Sequence, residues 1–531
     1  MKKTAAIFLS FILILNVFSV GIKAEEKSFD NYKDELYYAV YNMHSGVELE
    51  KYNISLDTIT DYLGYLVNQC PEICYTITIE GGSYIGQTDK VRQLNFSYNM
   101  DIEEATKRRK YVEETLTPVL NKVDKNWSDT EKALFVHDYI VANFMYDYRL
   151  YEEPGYENHD IYGFLKEGKG VCQSYAYTYI YMMRKLGLEC YMIISPPKDL
   201  DGNGEAEIMG HGWNVVKIDG KWYHVDATYD DPILGQSYHY DFVGEVSHEK
   251  FLLSDRQVET DLNHYGFYVP YVEENIKCDE YTGNDLWRNS VSSVLKVGEY
   301  WYYLDPKGKN GGLLKTKDFK TAERVMEIGF YYEEADTYCW PANEEETIGF
   351  PQFYTGLFEY NEHLFFSDSK NIYAFDTHHN VINPLPIDRI EGNFYFGLNM
   401  KGKTITYITS RTNIAENVVE GSYSLSRHFI IKDWEVEKEP TLTEEGLRTK
   451  RCYYCGEVVE HQTIPPLSQI IKGDISGDKT VNTSDLAILK LYLAGAGDEV
   501  GAAADLDDNG KVDTSDLAIL KLYLAGATSL G

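Results

Sequence analysis

Apolar and polar positions along the chain change period several times, and each change marks a structural element. A strand-like alternation runs from Tyr75 to Glu80 and again from Arg92 to Tyr98, followed by a helical pattern from Ile102 to Val123. Ser128 and Glu131 form a capping box that opens a new helix carrying Leu134, Phe135, Asp138, Tyr139 and Val141. A further apolar helix is predicted from Tyr175 to Leu186, stopped by Gly187. His211 to Val216 reads as a strand, Asp219-Gly220 as a two-residue hairpin turn, and Lys221 to Asp226 as the returning strand. A turn centred between 219 and 220 places opposite each other residues whose numbers sum to about 439. From about 275 to 425 the pattern becomes short aromatic strands, such as Tyr300 to Tyr303, Leu364 to Phe366 and Ile405 to Ile408.

The N-terminus follows a different logic. Lys2 and Lys3 precede an apolar run from Ala5 to Ile22, and Ala24 offers a small residue for cleavage before Glu25-Glu26. This is the layout of a secretory signal, which places the mature protein outside the cell with no membrane attachment after cleavage. The expected divisions are a signal at 1–24, an α/β domain at 25–125, a catalytic domain at 126–270 and a β-rich aromatic module at 275–427. A small CxxC module with a Pro linker spans 428–470, and a docking module spans 471–531. The fold class is α+β.

Composition narrows the partners. The chain holds 84 acidic and 50 basic side chains, a formal charge of −34 that would repel a polyphosphate and argues against nucleic acid. Hydrophobic residues make up 44%, enough to bury cores along most of the length. Eight cysteines are too few for a disulfide scaffold, and the 46 tyrosines have no explanation in composition alone.

The C-terminus is duplicated: TSDLAILKLYLAGA begins at Thr483 and again at Thr514. Each copy follows an acidic loop. Asp474, Ser476, Asp478, Thr480, Asn482 and Asp485 occupy loop positions 1, 3, 5, 7, 9 and 12 of the first, and Asp505, Asp507, Asn509, Lys511, Asp513 and Asp516 those of the second. A hard cation needs six or seven converging oxygens, and this spacing supplies them, position 7 through its backbone carbonyl. Two loops therefore imply two Ca2+ ions. Asp at position 12, with one following helix per loop, resembles a type I dockerin. That resemblance implies calcium-dependent docking onto a cohesin domain of a cellulosome scaffold. The resemblance implies Thr483 with Ser484 and Thr514 with Ser515 as the recognition pairs. Because the pairs are identical, docking in either of two orientations is implied.

A second constellation carries chemistry. Gly168-Lys169-Gly170-Val171 delivers Cys172 to a helix start, where backbone N–H groups and the dipole favour thiolate. The hairpin brings His211 and Asp226 onto neighbouring strands. Thiolate, activating imidazole and orienting carboxylate make a nucleophile triad. The segments GKGVCQSYA and GHGWNVVKIDGKWYHVDATYDDP, with EKALFVHDYIVANFMYDY upstream, resemble the transglutaminase-like superfamily, whose core shares papain-like geometry. The resemblance implies Cys172 as nucleophile, His211 as general base and acid, Asp226 as orienting carboxylate, and no cofactor for catalysis. The oxyanion hole falls to the Cys172 N–H, because Gln173 follows the cysteine. Asp230 and Asp231 are rival carboxylates beyond the strand. His137 and Asp138 are expected to pack, His224 to stand behind the site, and Trp213 to cover the cleft edge.

Cys452 and Cys455 form a CxxC, read either as half a zinc site completed by His428 and His461 or as a tight disulfide. Cys70 and Cys74 are close enough in sequence for a local bridge, while Cys190, Cys278 and Cys339 read as buried thiols. The whole reads as a secreted cysteine-nucleophile enzyme acting on protein or peptide amide bonds, with hydrolysis ahead of cross-linking because water is the abundant acceptor. Transglutaminase or deamidase chemistry is the alternative. A non-catalytic dockerin-bearing adaptor in polysaccharide degradation is the reading from another class.

Overall fold

The computed structural model describes residues 28–147, 159–199, 210–231 and 244–530. Within the last stretch, 262–263, 273–274, 284, 306–310, 329, 333–336, 340–355, 369, 389–392, 411–418, 429, 442 and 467–470 are left out. The signal expected at 1–24 and the side chain of Cys339 lie outside the described residues. The chain divides into two compact units, one from residues within 1–233 and 247–284, the other from 234–246 and 285–531.

The first unit begins with helix α1 (Tyr32–Tyr41), capped by Asn31, strand β1 (Gly46–Glu48), and helix α2 (Leu56–Gln69), capped by Ser55. Strands β2 (Ile77–Tyr84) and β3 (Val91–Tyr98) complete an antiparallel sheet in the order β1-β3-β2. Leu36, Val40, Ile59, Leu66, Val91 and Leu94 close the core between them. Helix α3 (Ile102–Leu120) follows, and α4 (Asp129–Asn143) starts at the capping box, with Ser128 accepting from the Glu131 N–H. Strand β4 (Met145–Tyr146), helix α5 (Ile161–Glu167) and strand β5 (Lys169–Gly170) lead to helix α6 (Cys172–Lys185).

Strands β6 (Cys190–Ser195), β7 (His211–Ile218), β8 (Lys221–Val225) and β9 (Phe251–Leu253) form one antiparallel sheet in chain order, followed by the short helix α7 (Asp255–Val258). Asp219 and Gly220 both adopt positive φ, the geometry of a type I′ turn. Asn214 consequently lies opposite Val225 and Lys217 opposite Trp222, the register expected from the turn's centre. A buried amide joins α2 to this sheet. The Gln69 side chain donates to Met192 O and Pro270 O and accepts from Met192 N.

The second unit is built from successive antiparallel meanders. Two have four strands, running from Leu295 to Met326 and from Leu357 to Pro384, and two have three, from Phe394 to Ser424 and from Glu435 to Ile464. Cys452, Tyr454 and Cys455 share a hydrophobic core with Phe365, Leu398 and Tyr423. At the C-terminus the duplicated segments form helices α8 (Thr483–Leu493) and α9 (Thr514–Leu524), whose Leu489 and Leu520 are fully buried together with Ala504. Among the described residues no helix is long and apolar enough to cross a membrane.

Candidate active site

Three elements bring the thiol, the imidazole and the carboxylate together. Gly170 is crowded by Ser174 and Phe164, so a side chain there would collide with the first turn of α6. Val171 caps α6, with its N–H bonded to Ser174 Oγ at 2.9 Å, and leaves Cys172 as the first helical residue. His211 stands at the first position of β7 and Asp226 just past the end of β8. The His211 Nε2 to Asp226 Oδ2 distance is 2.6 Å. With Nε2 so engaged, Nδ1 is the nitrogen left to serve Cys172, whose thiol and the His211 ring shift each other's pKa.

The electrostatics favour an ion pair. Burial alone would raise the Cys172 thiol, but His211 and the Gly212 N–H outweigh it and lower its pKa. Burial likewise opposes the imidazolium, yet the Asp226 carboxylate and Cys172 push His211 up to about 10. Burial would favour a protonated Asp226, and His211 with His264 holds its carboxyl well below the usual range. The three shifts together favour a thiolate–imidazolium pair beside an ionised carboxylate.

Asp226 is saturated with donors. Oδ1 accepts the N–H groups of Thr228 at 3.0 Å and Tyr229 at 3.2 Å. Oδ2 accepts a second imidazole, His264 Nε2, at 2.7 Å. Sequence reasoning missed His264, which is fully buried in the turn after α7 and carries no local signature. Trp213 departs from expectation. It is 1% exposed rather than at a cleft edge, because its indole stacks on His211 at 5.4 Å, 13° from parallel. Its Nε1–H donates to His224 Nδ1 at 3.0 Å, and His224 Nε2 lies 2.9 Å from Asp255 Oδ1. Burial lowers the His224 pKa, so this ring is a neutral prop behind the tryptophan.

The remaining candidates lie apart from the thiol. Asp231 accepts from Tyr175 OH. Asp230 sits 3.1 Å from His137 Nε2, while Asp138 Oδ1 meets His137 Nδ1 at 2.8 Å and His248 Nε2 at 2.9 Å. This buried network joins α4 to the segment after β8. Gln173 donates to Tyr177 OH, not toward an oxyanion position. Cys70, Cys74, Cys190 and Cys278 are buried free thiols.

The chain matches the family model of the transglutaminase-like superfamily over residues 118–227, which include Cys172, His211 and Asp226. Residues 118–227 form a transglutaminase-like domain. Residues 472–525 match the type I dockerin domain. Among solved structures, the chain is similar to a TGase, at 15% identity and TM-score 0.20 over 36% of this chain and 55% of that one. It is also similar to a protein from Cytophaga hutchinsonii assigned as a cysteine protease, at 15% identity and TM-score 0.17, over 29% and 64%. A protein from Parabacteroides distasonis assigned as a protease gives 17% identity and TM-score 0.18, over 28% and 30%. The chain thus spans little more than half the length of the first of these. No curated protein matches the chain.

The loop before α9 fits a hard cation. Asp505, Asp507 and Asp516 bring carboxylate oxygens within 4.8 Å of one another, a repulsive arrangement unless a cation lies between them. Asp485 and Asp516 are fully buried, and each is fixed by backbone N–H groups: Ser476 and Asn482 for the first, Leu506 and Asp513 for the second. Thr483, Ser484, Thr514 and Ser515 are exposed at the helix starts, and Leu491 and Leu522 are both about half exposed.

Proposed function

We propose that the protein is a secreted cysteine-nucleophile enzyme that cleaves amide bonds of proteins or peptides while docked on a cellulosome scaffold. The observation that carries this reading is the alignment of Cys172, His211 and Asp226, with the thiol lowered and the imidazole raised. The Cys172 thiolate attacks the amide carbonyl carbon, forming a C–S bond and an oxyanion to which the Cys172 backbone N–H donates a hydrogen bond. His211, charged at the start, gives its proton to the departing amine as the C–N bond breaks. Neutral His211 then takes a proton from water, which attacks the thioester; the C–S bond breaks, restoring the thiolate and releasing the carboxylic acid, which gives its proton to solvent. Asp226 holds the ring so that Nδ1 faces sulfur throughout.

The docking half rests on the dockerin match and the paired acidic loops. Asp474, Ser476, Asp478, Asn482 and Asp485 would hold one Ca2+ with the Thr480 carbonyl. Asp505, Asp507, Asn509, Asp513 and Asp516 would hold the second with the Lys511 carbonyl. Thr483-Ser484 and Thr514-Ser515 would meet the cohesin. A docking module of this kind, with the signal at 1–24, supports an extracellular location.

Incubation with a mixed protein extract, scored by mass spectrometry for new termini, deamidation and isopeptide cross-links, tests the reaction against a Cys172→Ala control. New termini are expected. Cross-links or deamidation alone would instead favour amine transfer or side-chain hydrolysis, and no product of any kind would favour the adaptor. Iodoacetamide near neutral pH should label Cys172 ahead of Cys190. For the docking half, chelating calcium should abolish cohesin binding, and unchanged binding would overturn it.

A further inference from the structure

In the second unit, two buried thiols and an imidazole converge outside any site described so far. Cys452 and Cys455 are 0% and 7% exposed, at the turn between strands Gly446–Arg451 and Val458–Ile464. That turn is closed by two backbone bonds, Gly456 N–H to Cys452 O at 2.9 Å and Cys452 N–H to Glu457 O at 2.8 Å, and Gly456 takes positive φ. The result is a tight knuckle whose two sulfurs lie close together. A third group arrives from the end of the preceding meander. His428 terminates a short turn (Leu425–Arg427) in the left-handed region at φ 49°, a strained choice for a non-glycine residue. The turn carries its ring back onto the knuckle, with Nδ1 3.5 Å from Cys455 Sγ.

The ligand atoms of His428, Cys452 and Cys455 all lie within 4.8 Å of one another. In tetrahedral zinc, bonds of about 2.3 Å to sulfur and about 2.0 Å to nitrogen set neighbouring ligands about 3.5 Å apart. The Cys455–His428 separation already has that value. Glu457 Oε2 lies 3.6 Å from His428 Nε2 and 3.8 Å from Cys455 Sγ, so the carboxylate stands beside both and can fix the tautomer of the ring. The His428 side chain is 29% exposed, which leaves the centre a path to solvent. His461, the other histidine considered from sequence, is exposed on its strand and is not among the converging groups.

We propose that His428, Cys452 and Cys455 bind one zinc ion, with solvent in the fourth position and Glu457 orienting the histidine. Each thiol releases its proton to water as the metal–sulfur bond forms, and no electron is transferred. The ion ties the Glu435–Ile464 meander to the end of the Phe394–Ser424 meander. Soft thiolate and imidazole donors select zinc over the calcium that suits the acidic loops.

The test uses the full-length reduced protein, saturated with calcium to occupy the acidic loops, loaded with zinc and desalted. Elemental analysis should find one zinc per chain in the wild type and in Cys172→Ala, and none in the Cys452→Ser, Cys455→Ser double variant. Substituting Co2+ should give thiolate charge-transfer absorption that the double variant lacks. Because that variant loses two core side chains, Glu457→Gln supplies a milder arm, expected to weaken zinc binding about tenfold without changing the circular dichroism. A wild type that retains no zinc, with peptides showing a Cys452–Cys455 disulfide, overturns the proposal. So does zinc that is lost only in Cys172→Ala, or is unaffected by the double substitution.

Discussion

At the scale of single residues, Asp226 is the pivot. Its two oxygens take four donors, two imidazoles and two backbone N–H groups, so the carboxylate has no freedom to turn away from His211. His264 is thus a positioning residue. His264→Gln should lower kcat about 10- to 100-fold with KM little changed, the usual scale for outer partners that orient a functional group. A purely structural role would instead lower stability and leave the turnover of folded protein intact. The pH dependence has two separable parts. Cys172 is depressed, so alkylation should persist below the ordinary thiol range. His211 is raised to about 10, so acylation, which needs its proton, should fall as pH rises through that value while alkylation continues. Asp226→Asn removes the main group that raises His211, and the alkaline limb of kcat/KM should move to lower pH.

At the scale of elements, the hairpin was the most legible part of the sequence. The Asp219-Gly220 turn sets its own centre, and antiparallel pairing then places Asn214 to Ile218 opposite Val225 to Lys221 by arithmetic, with His211 and Asp226 just beyond the paired stretch. The helix starts at Ser128 and Cys172 were equally legible, because caps are local chemistry. His264 and His428 were not, because each reaches its partners through a turn whose placement depends on packing across the unit. The calcium loops teach a subtler lesson. Both loops need left-handed backbone at positions 4 and 6, but they place glycine differently. The first has Gly477 and Lys479 there, the second Asp508 and Gly510. Each loop therefore carries one strained non-glycine residue, and both loops share the same pair of left-handed positions. Lys479→Gly should stabilise the calcium-free first loop by about 1 kcal/mol, read as a rise in melting temperature in chelator.

At the scale of the molecule, the tyrosine excess has a partial account. Tyr75, Tyr177 and Tyr179 fill buried space while their hydroxyls reach backbone carbonyls of Val40, Val67 and Ala133, which an apolar ring cannot do. The acidic excess is partly ligand, since two Ca2+ ions would offset four units of the formal net charge of −34. Because a ligand stabilises only the unit that binds it, calcium should raise the thermal transition of residues 472–525, by about 4 kcal/mol per bound ion at a thousandfold excess over Kd. Differential scanning calorimetry with and without chelator checks this, and the transition of the unit holding Cys172 should stay in place.

The face contact between Trp213 and His211 has an optical meaning. A cationic ring lying against an indole accepts its excited-state electron and darkens its emission. Trp213 is therefore dim while His211 keeps its proton and brightens when the proton leaves. The molecule carries its own fluorescent indicator, one ring away from the sulfur, that reports each change in the charge of the site without any added dye.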